Sequence, residues 1–243
     1  MSSVIVFDLE TVPDLDAAAR MLAMVGESAE AVRAALGDKF PKLALHKIVC
    51  IGALIAERQD DHWTVRSVGA PSIAERTEAE LIKRFVDKVE ELRPRLVGYN
   101  LNGFDLPVLR YRAMVHRVAA PGLEVRPYFR RYADDALDLC DVLGSFDSRA
   151  KMPLHELCRV LDLPGKPDGV DGSGVEDLIA AGRIADVAAY CETDVVNTYR
   201  VWLIHELFCG RLGDAGYAAS EAALLQHVRA KAGAKPYLES MIH

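Results

Sequence analysis

The chain has 243 residues, of which 51% are hydrophobic and 27% charged, and its formal net charge is −7. This composition is typical of a globular protein, and no apolar run reaches the roughly 18 residues that a membrane-spanning helix requires. The acidic balance lacks the electrostatic footprint of a typical DNA-binding domain, which argues against tight non-specific nucleic-acid binding but not against an enzyme that contacts phosphates locally.

The first predicted element is a buried strand in the segment VIVFDLET, which begins at Val4. Side chains two residues apart on a strand share a face, so Asp8 and Glu10 project together while Phe7 and Leu9 fill the opposite face. Two carboxylates held this close repel each other and raise each other's pKa. The pattern therefore predicts a positively charged partner at the end of this strand.

Helices and strands alternate through the first half of the chain. The Ala-rich stretch 14–40 predicts one or two helices, within an insertion of about 14–45. Two β-rich runs flank the polar turn RQDD and predict a hairpin. The next predicted elements are a helix at 78–92 that ends before Pro94, a short strand in RLVGYN that runs into a loop, and a helix at LPVLRYRAMVHRV with Pro107 in its first turn.

In the second half, DALDLCDVL predicts a short strand and MPLHELCRVLDL begins a helix. The run PGKPDGVDGSG, dense in Gly, Pro and Asp, predicts a loop. The longest predicted helix covers 184–208, and a last helix near 218–231 belongs to a C-terminal helical extension of about 211–243. Strands that precede helices, with an early hairpin, predict a single α/β domain over 1–243 whose mixed central sheet is flanked by helices.

The cysteines and the N-terminal segment bear on the cellular compartment. The five cysteines are scattered, include no CxxC pair and are odd in number, which argues against a disulfide framework. The N-terminal segment lacks the basic region and small-residue cleavage site of a secretory signal. We therefore expect a cytoplasmic protein without a membrane partner.

Three further side chains occupy chemically suggestive positions. Asp105, in YNLNGFDLPVL, lies where a strand passes into a loop before a helix, a position commonly taken by a helix cap. Tyr190 and Asp194, in YCETD, are four residues apart on the longest predicted helix and therefore share a face. If that helix is buried, Asp194 requires a partner; the alternative is a partly exposed Asp194 beside a core tyrosine.

Taken in order, these motifs resemble those of the DEDD superfamily of 3′–5′ exonucleases, which has a ribonuclease H-like fold. FDLET is similar to the first motif and supplies Asp8 and Glu10, YNLNGFD is similar to the second with Asp105, and YCETD is similar to the third with Asp194. The Tyr190 position, where other branches place a His nearer the Asp, is typical of the DEDDy branch. The resemblance implies that these five residues form a catalytic site.

Within that superfamily the chain resembles the predicted exonucleases related to the proofreading domain of family-B DNA polymerases. The resemblance extends over roughly 4–207 and is carried by FDLETVPD, HKIVCIG, GFDLPVL, PGKPDGVDGSGV and YCETDVVNTY. Each motif alone is weakly specific, whereas their order and local contexts together are specific. The loop YNLNGFD departs from the expected WNGRGFD-like form at Leu101 and Asn102, so the resemblance does not define the substrate contacts there.

On this resemblance, the positive partner of the paired carboxylates is two Mg²⁺ or Mn²⁺ ions. Asp8, Glu10, Asp105 and Asp194 carry four negative charges that two divalent ions neutralise, and oxygen ligands suit these metals. Two such ions clamp the attacking and leaving oxygens of a phosphodiester and lower the pKa of a bound water. Neutral Tyr190, with an ordinary pKa of about 10, is a poor base, so we expect it to orient the attacking water, a role that Glu10 could share.

Four residues are candidates for substrate contacts, each with a plain structural alternative. Asn100 and Phe104 could hold the terminal nucleotide, Phe104 by stacking on a base, or could instead be a turn former and a core aromatic. Thr11 follows Glu10 and, by the resemblance, could contact the 3′-terminal sugar, or it could be an ordinary strand-end residue. Lys166 could reach a phosphate, although a single loop lysine is usually only solvated.

Other polar residues have weaker signals. Asp138 and Asp141 lie near the end of a predicted strand and could support the site without touching a metal. His46 and His116 are isolated in the sequence and are predicted to have ordinary surface or core roles.

The function that these observations favour is release of mononucleotides from the 3′ end of single-stranded DNA by a two-metal-ion mechanism. DNA is favoured over RNA by the resemblance alone, since nothing in the motifs recognises a 2′-hydroxyl. The alternatives are a 3′–5′ exoribonuclease and a non-catalytic ribonuclease H-like module that binds nucleic acid or protein. The acidic surface also leaves room for an unknown protein partner.

Overall fold

The computed structural model describes residues 2–37, 40–165 and 174–242. The strands are β1 (Ser3–Pro13), β2 (His46–Gln59), β3 (His62–Gly69), β4 (Arg95–Gly98) and β5 (Ala136–Asp138). The α-helices are α1 (Leu15–Met21), α2 (Ala29–Leu36), α3 (Glu78–Leu92), α4 (Asp105–Val115), α5 (Leu139–Leu143), α6 (Leu154–Val160), α7 (Val175–Ala180), α8 (Ile184–Phe208) and α9 (Asp214–Ala232). Short 3-10 helices cover Leu43–Leu45, Pro121–Glu124, Ser148–Ala150 and Pro236–Met241.

The five strands form one sheet in the order β3-β2-β1-β4-β5. β2 is antiparallel to both β1 and β3, whereas β1, β4 and β5 are parallel to one another. The sheet is therefore mixed, as predicted, and β1 lies at its centre. β1, β4 and β5 end at the same edge of the sheet, which is where α/β folds with parallel strands place their ligand sites.

The two faces of β1 pack into two separate apolar clusters. Val4 and Val6 belong to the cluster that contains side chains of α8 and α9. Ile5, Phe7 and Leu9 belong to the cluster on the other face, which contains side chains of α3 and α4. Burial of each such side chain is favourable by about 1.5–3 kcal/mol, so a shift of one residue in register would lose several of these contributions at once.

A glycine in β2 allows the longest helix to approach the sheet. Gly52 pairs with Asp8 in the β1–β2 register. A Cβ atom at Gly52 would lie 2.7 Å from the Sγ atom of Cys191 and 2.9 Å from a methyl group of Val195. Because no larger residue fits there without displacing α8, Gly52 sets the distance between this helix and the acidic end of β1.

Two short helices occupy the predicted insertion, and a buried ion cluster anchors the start of the first one. Asp14 caps α1 and Ser28 caps α2 through side-chain oxygens that accept backbone N–H groups. Arg112, only 2% exposed, donates to Oδ2 of Asp14 at 2.6 Å and to both carboxylate oxygens of Glu78 at 2.6 and 2.7 Å. His116 also contacts Glu78, so this histidine belongs to the ion cluster that joins α1, α3 and α4.

The C-terminal extension packs against β3 and α8. The hydroxyl of Ser220 in α9 accepts the backbone N–H of Trp63 at 2.9 Å. Glu192 in α8 accepts from Nζ of Lys235 at 2.5 Å and from the hydroxyl of Tyr237 at 3.0 Å. Among the described residues, no helix combines the length and apolar character needed to cross a membrane.

Most predicted element boundaries agree with the structure, and α3 and α8 agree residue for residue. The prediction of a strand through DALDLCDVL is wrong after Asp138, because the Asp138 side chain accepts the N–H of Asp141 and begins α5. The last helix begins at Asp214, ahead of its predicted start. Most of the predicted PGKPDGVDGSG loop lies outside the described residues.

Candidate active site

A cavity of about 630 Å³ opens at the edge of the sheet where β1 ends. Its walls come from β1, the insertion, the loop before α4, α7 and α8. Seven of the predicted site residues line it: Asp8, Glu10, Thr11, Asn100, Phe104, Tyr190 and Asp194. Side chains that are far apart in the sequence therefore converge on a volume within the usual range for small-molecule sites, about 300–1,000 Å³.

Asp8 and Glu10 lie side by side in this cavity. One carboxylate oxygen of each and the Sγ atom of Cys191 lie within 4.8 Å of one another. Glu10 is 6% exposed and Asp8 is half-buried. The β1–β2 register shifts between Glu10 and Thr11, and this bulge-like irregularity changes the direction of the strand immediately after the two acids.

Cys191 in α8 is a neighbour of the acids rather than a ligand for a hard cation. Its Sγ atom lies 3.6 Å from the backbone oxygen and 3.7 Å from Oδ2 of Asp8. Burial, the neighbouring Cys50 and the negative charges of Asp8 and Glu10 hold the pKa of the Cys191 thiol well above its ordinary value. The neutral thiol can donate a weak hydrogen bond to Asp8 but is not the thiolate that binds metals.

Asp105 lies behind the cavity wall, at the start of α4. It is 3% exposed, and its Oδ1 atom accepts the backbone N–H of Leu9, a cavity-lining residue, at 3.0 Å. Burial first, and then the charge of Asp8, hold the pKa of Asp105 well above its ordinary value. The alternative interpretation of Asp105 as a helix cap fails, because Phe104 occupies the cap position and Asp105 bonds to β1.

Tyr190 and Asp194 lie one turn apart on α8 and face the same cavity. Tyr190 is 6% exposed and Asp194 8%, so the alternative of a partly exposed aspartate is wrong. The face of β1 that packs on α8 carries Val4 and Val6 and, continuing with the same alternation, Asp8. This alternation explains why the α8 residues meet the β1 acids.

The loop between β4 and α4 is held by Asp138 at the end of β5. Oδ1 of Asp138 accepts the backbone N–H of Asn100 at 2.9 Å, and Oδ2 accepts that of Asn102 at 2.8 Å. Asn100 has a φ of +64°, a left-handed conformation that Asn tolerates better than most residues. A Cβ atom at Gly103 would contact Oδ1 of Asn100, so a larger residue there would displace the Asn100 side chain.

The turn-former interpretation of Asn100 therefore describes its backbone, and Asn100 is also one of the residues that line the cavity. Asp138 supports this loop and accepts the backbone N–H of Asp141, whose own carboxylate pairs with Arg131 and Lys151.

His46 is a cavity residue whose role the sequence pattern did not indicate. Its Nε2 atom lies 3.2 Å from the carbonyl oxygen of Pro41, and its Nδ1 atom lies 3.0 Å from the Thr11 hydroxyl. A carbonyl can only accept, so Nε2 carries the proton and Nδ1 accepts from Thr11. Burial lowers the pKa of His46, which agrees with a neutral ring.

Aromatic rings surround the same corner of the cavity. The His46 ring meets Phe104 edge-on at a centroid distance of 5.0 Å and lies 4.7 Å from Phe40. Phe40 is 72% exposed and Phe104 half-buried, so both present apolar surface at the cavity mouth. The only sequence signal for His46 was its position at the start of the motif HKIVCIG; in the structure it pairs with Pro13 of β1.

The insertion also contributes to the cavity wall. Arg33 in α2 forms a two-point ion pair with Glu176 in α7, at 3.0 and 3.3 Å, and both residues line the cavity. The predicted phosphate contact Lys166 lies outside the described residues.

The donor set fits divalent cations that prefer oxygen ligands. Asp8 and Glu10 offer carboxylate oxygens at one point, and Asp105 and Asp194 bring two further carboxylates to the same edge of the sheet. The raised pKa of Asp105 is expected where carboxylates gather in a buried site, and a bound divalent cation would stabilise their ionised forms.

Comparisons with known proteins identify the fold and the family of this chain. The fold is similar to that of the family B DNA polymerase from the hyperthermophilic archaeon Pyrobaculum calidifontis, with a TM-score of 0.55 and 19% sequence identity over 96% of this chain. The match spans 29% of the polymerase chain, and it shows that the fold is ribonuclease H-like, as predicted. No curated protein matches the sequence.

The sequence model of one protein family matches residues 38–242, and that family is described as a "predicted 3′-5′ exonuclease related to the exonuclease domain of PolB". This range is well over half of the 243 residues. The chain therefore belongs to the family of predicted 3′–5′ exonucleases related to the exonuclease domain of PolB.

Proposed function

We propose that the protein is a metal-dependent 3′–5′ exonuclease of the DEDDy type that releases mononucleotides from the 3′ end of single-stranded DNA. The observation that carries this proposal is the convergence of Asp8, Glu10, Tyr190 and Asp194 on one cavity, with Asp105 bonded to the wall of that cavity. Neither a helix cap nor a solvent-exposed acid explains this convergence.

The four acids would hold two Mg²⁺ or Mn²⁺ ions. Bound there, the ions would supply a nucleophilic water at neutral pH and would neutralise charge on the phosphate oxygens. Asp8 and Glu10 offer their carboxylates from β1, Asp105 from the first turn of α4, and Asp194 from α8. Because these elements belong to the packed core, the carboxylates are held in place before substrate arrives.

Tyr190 orients the attacking water by a hydrogen bond from its hydroxyl, and the Glu10 carboxylate accepts a hydrogen bond from the same water. Thr11 contacts the 3′-terminal sugar, and its hydroxyl oxygen keeps lone pairs available because its proton is donated to His46. Phe104 stacks on the terminal base and Asn100 fixes the terminal nucleotide. Lys166 reaches a phosphate.

Single-stranded DNA is proposed as substrate because the exonuclease family is related to a DNA polymerase domain. An exoribonuclease and a non-catalytic binding module are the competing functions. We further propose that residues 1–243 form a single domain, with the insertion shaping the substrate cavity. All five cysteines are free, which agrees with a reducing compartment such as the cytoplasm.

The test is a degradation ladder on 5′-labelled single-stranded DNA and RNA of matched sequence, with Mg²⁺, with Mn²⁺ and with EDTA. The matched variants are Asp8→Asn, which removes one proposed ligand, and Asp186→Asn, which removes a solvent-exposed aspartate from the same helix as Asp194. The proposal expects shortening from the 3′ end by wild type and Asp186→Asn, and none by Asp8→Asn or in EDTA.

A ladder on RNA alone would move the assignment to an exoribonuclease. Intact DNA and RNA under every metal condition would contradict catalysis and favour a binding module.

A further inference from the structure

A second cavity, of about 220 Å³, lies on the other side of the loop that connects β4 to α4. Around it, cationic and aromatic side chains form what we call the cationic surface, made of Arg110, Phe129, Arg131, Tyr132, Phe146 and Lys151. None of these residues takes part in the catalytic proposal above.

The cationic surface carries positive charge on an acidic protein. Arg110, Arg131 and Lys151 line the cavity with one carboxylate, Asp141, so two formal positive charges remain. Arg131 lies 2.7 Å and Lys151 2.8 Å from that carboxylate. No carboxylate of the described residues forms an ion pair with Arg110. This local excess contrasts with the net charge of −7 for the whole chain.

Exposed aromatic rings alternate with these cations. Tyr132 is 78% exposed and lies 4.9 Å from the partly exposed Phe146 in an edge-on arrangement. The guanidinium of Arg131 lies 5.8 Å from the Phe146 ring, and that of Arg110 lies 4.2 Å from the Phe129 ring. Exposed aromatics beside cations are the combination that binds single-stranded nucleic acids, because bases stack on the rings while cations meet the phosphates.

The cationic surface is continuous with the candidate active site. The loop between β4 and α4 separates the two cavities, with Asn100 and Phe104 lining the acidic one and Asn102 and Gly103 the other. Nζ of Lys151 lies 3.4 Å from Oδ1 of Asn100, so one lysine touches both sides. A strand whose 3′ end enters the acidic cavity could therefore cross this loop onto the cationic surface.

We propose that the cationic surface binds the internal nucleotides of the single-stranded substrate, upstream of the 3′-terminal nucleotide. This inference rests on the proposed exonuclease function and assigns the path of the strand outside the catalytic cavity. It also explains how an acidic protein holds a polyanion: the attraction is confined to one surface next to the metal site, where counterions are released on binding.

The test measures binding separately from cleavage. Fluorescein-labelled oligothymidylates of about ten and about three nucleotides are titrated in EDTA and followed by anisotropy, since single-strand sites cover about 4–16 nucleotides. The variants are Arg110→Ala and Tyr132→Ala, both at exposed positions. Their controls are Tyr132→Phe, which keeps the ring, and Arg84→Ala, which removes an exposed arginine that lines a different cavity.

We expect Arg110→Ala and Tyr132→Ala to weaken binding of the long oligonucleotide about five- to tenfold and to change binding of the short one less than about twofold. Arg110→Ala should also reduce the slope of log affinity against log salt concentration by about 1, the change expected for the loss of one phosphate contact. Tyr132→Phe and Arg84→Ala should bind both lengths as wild type does.

The inference would be overturned if the variants lost affinity equally for both lengths or if Arg84→Ala lost as much affinity as they do. It would also be overturned if wild type bound the long oligonucleotide no more tightly than the short one. Hydrolysis of the same oligonucleotides with Mn²⁺ separates the two proposals. If wild type cleaves the oligonucleotides but the variants bind as wild type does, the proposal for the cationic surface is wrong and the exonuclease proposal stands. If binding depends on length and the variants weaken it, but no cleavage occurs, the proposal for the cationic surface stands and the exonuclease proposal is wrong.

Discussion

The backbone N–H of Leu9 donates a hydrogen bond of 3.0 Å to Oδ1 of Asp105, joining residues that are 96 positions apart. This bond connects the central strand to the first turn of α4. It holds the Asp105 carboxylate against the strand that carries Asp8 and Glu10, and it uses only Oδ1 of that carboxylate. The two acidic motifs of the sequence are thus linked by a backbone contact as well as by their shared cavity.

The first prediction compares Asp105→Asn with Asp105→Ala in metal-free protein. The raised pKa of Asp105 means that its ionised form destabilises the folded state at neutral pH. Asn keeps an acceptor for the Leu9 N–H and removes the charge, so its melting temperature in EDTA should equal or exceed that of wild type. Ala leaves that buried N–H without an acceptor and should cost about 1–3 kcal/mol.

Thermal denaturation in EDTA and with added Mn²⁺ provides the measurement. Wild type should gain melting temperature with Mn²⁺ through preferential binding to the folded state, and both variants should gain much less. An Asn variant as unstable in EDTA as the Ala variant would contradict the assigned cost of the Asp105 charge.

The second prediction concerns Asp138, whose two oxygens accept three backbone N–H groups, from Asn100, Asn102 and Asp141. Asp138→Asn replaces one oxygen with an NH₂ group that faces a backbone donor. This substitution should therefore destabilise the protein by about 2–3 kcal/mol, nearly as much as Asp138→Ala. Urea denaturation of both, with the exposed Asp134→Asn as control, is the measurement, and wild-type stability in Asp138→Asn would refute it.

The third prediction assigns His46 to substrate positioning. His46→Ala removes the Nδ1 acceptor for Thr11, the Nε2–H donor to Pro41 and the ring that packs on Phe104, whereas His46→Phe keeps a ring and removes only the two hydrogen bonds. On a short oligonucleotide, His46→Ala should raise KM about tenfold, equivalent to about 1.4 kcal/mol, with a smaller change in kcat. His46→Phe should lie between His46→Ala and wild type. An equal fall in kcat and kcat/KM would instead indicate a contact made only in the transition state.

The fourth prediction concerns the pH dependence of stability through Glu206. Its carboxylate pairs with Arg95 at 3.0 Å and with Arg211 at 2.7 Å. Burial raises the pKa of Glu206, but the hydrogen bond from Arg211 and the charges of both arginines outweigh it and leave that pKa below the ordinary 4.5. A lowered pKa in the folded state means that this stabilisation is complete above pH 4.5 and is lost as the pH falls through the lower, folded-state value.

Glu206→Gln should therefore be about 1–3 kcal/mol less stable than wild type near neutral pH, a range that allows for solvent screening at the half-exposed Arg211. The difference should shrink as the pH falls below 4.5, the ordinary value for the glutamate. Urea denaturation across this pH range, with the exposed Glu239→Gln as control, measures it. A difference that stays constant with pH would rule out the ion pairs as its source.

The sequence pattern was most informative where local chemistry dominates. The boundaries of α3 follow from Thr77, whose side chain and that of Glu80 form a capping box, and from the chain's departure from helical geometry at Arg93 before Pro94. The alternation in β1 placed Asp8 and Glu10 together without any knowledge of neighbours. The sequence pattern was least informative after Asp138, where the composition is typical of a strand but the Asp138 side chain caps α5.

The sequence by itself determined the mixed α/β sheet, the pairing of Asp8 with Glu10 and the shared face of Tyr190 and Asp194, because these follow from backbone periodicity over a few residues. Only the tertiary structure decided that Asp105 bonds to Leu9 and that His46 joins the cavity. The same holds for the cations and aromatics of the cationic surface, which come from separate segments. Those relationships depend on close packing and on the pairing of buried polar groups across long sequence separations, and no local pattern records either.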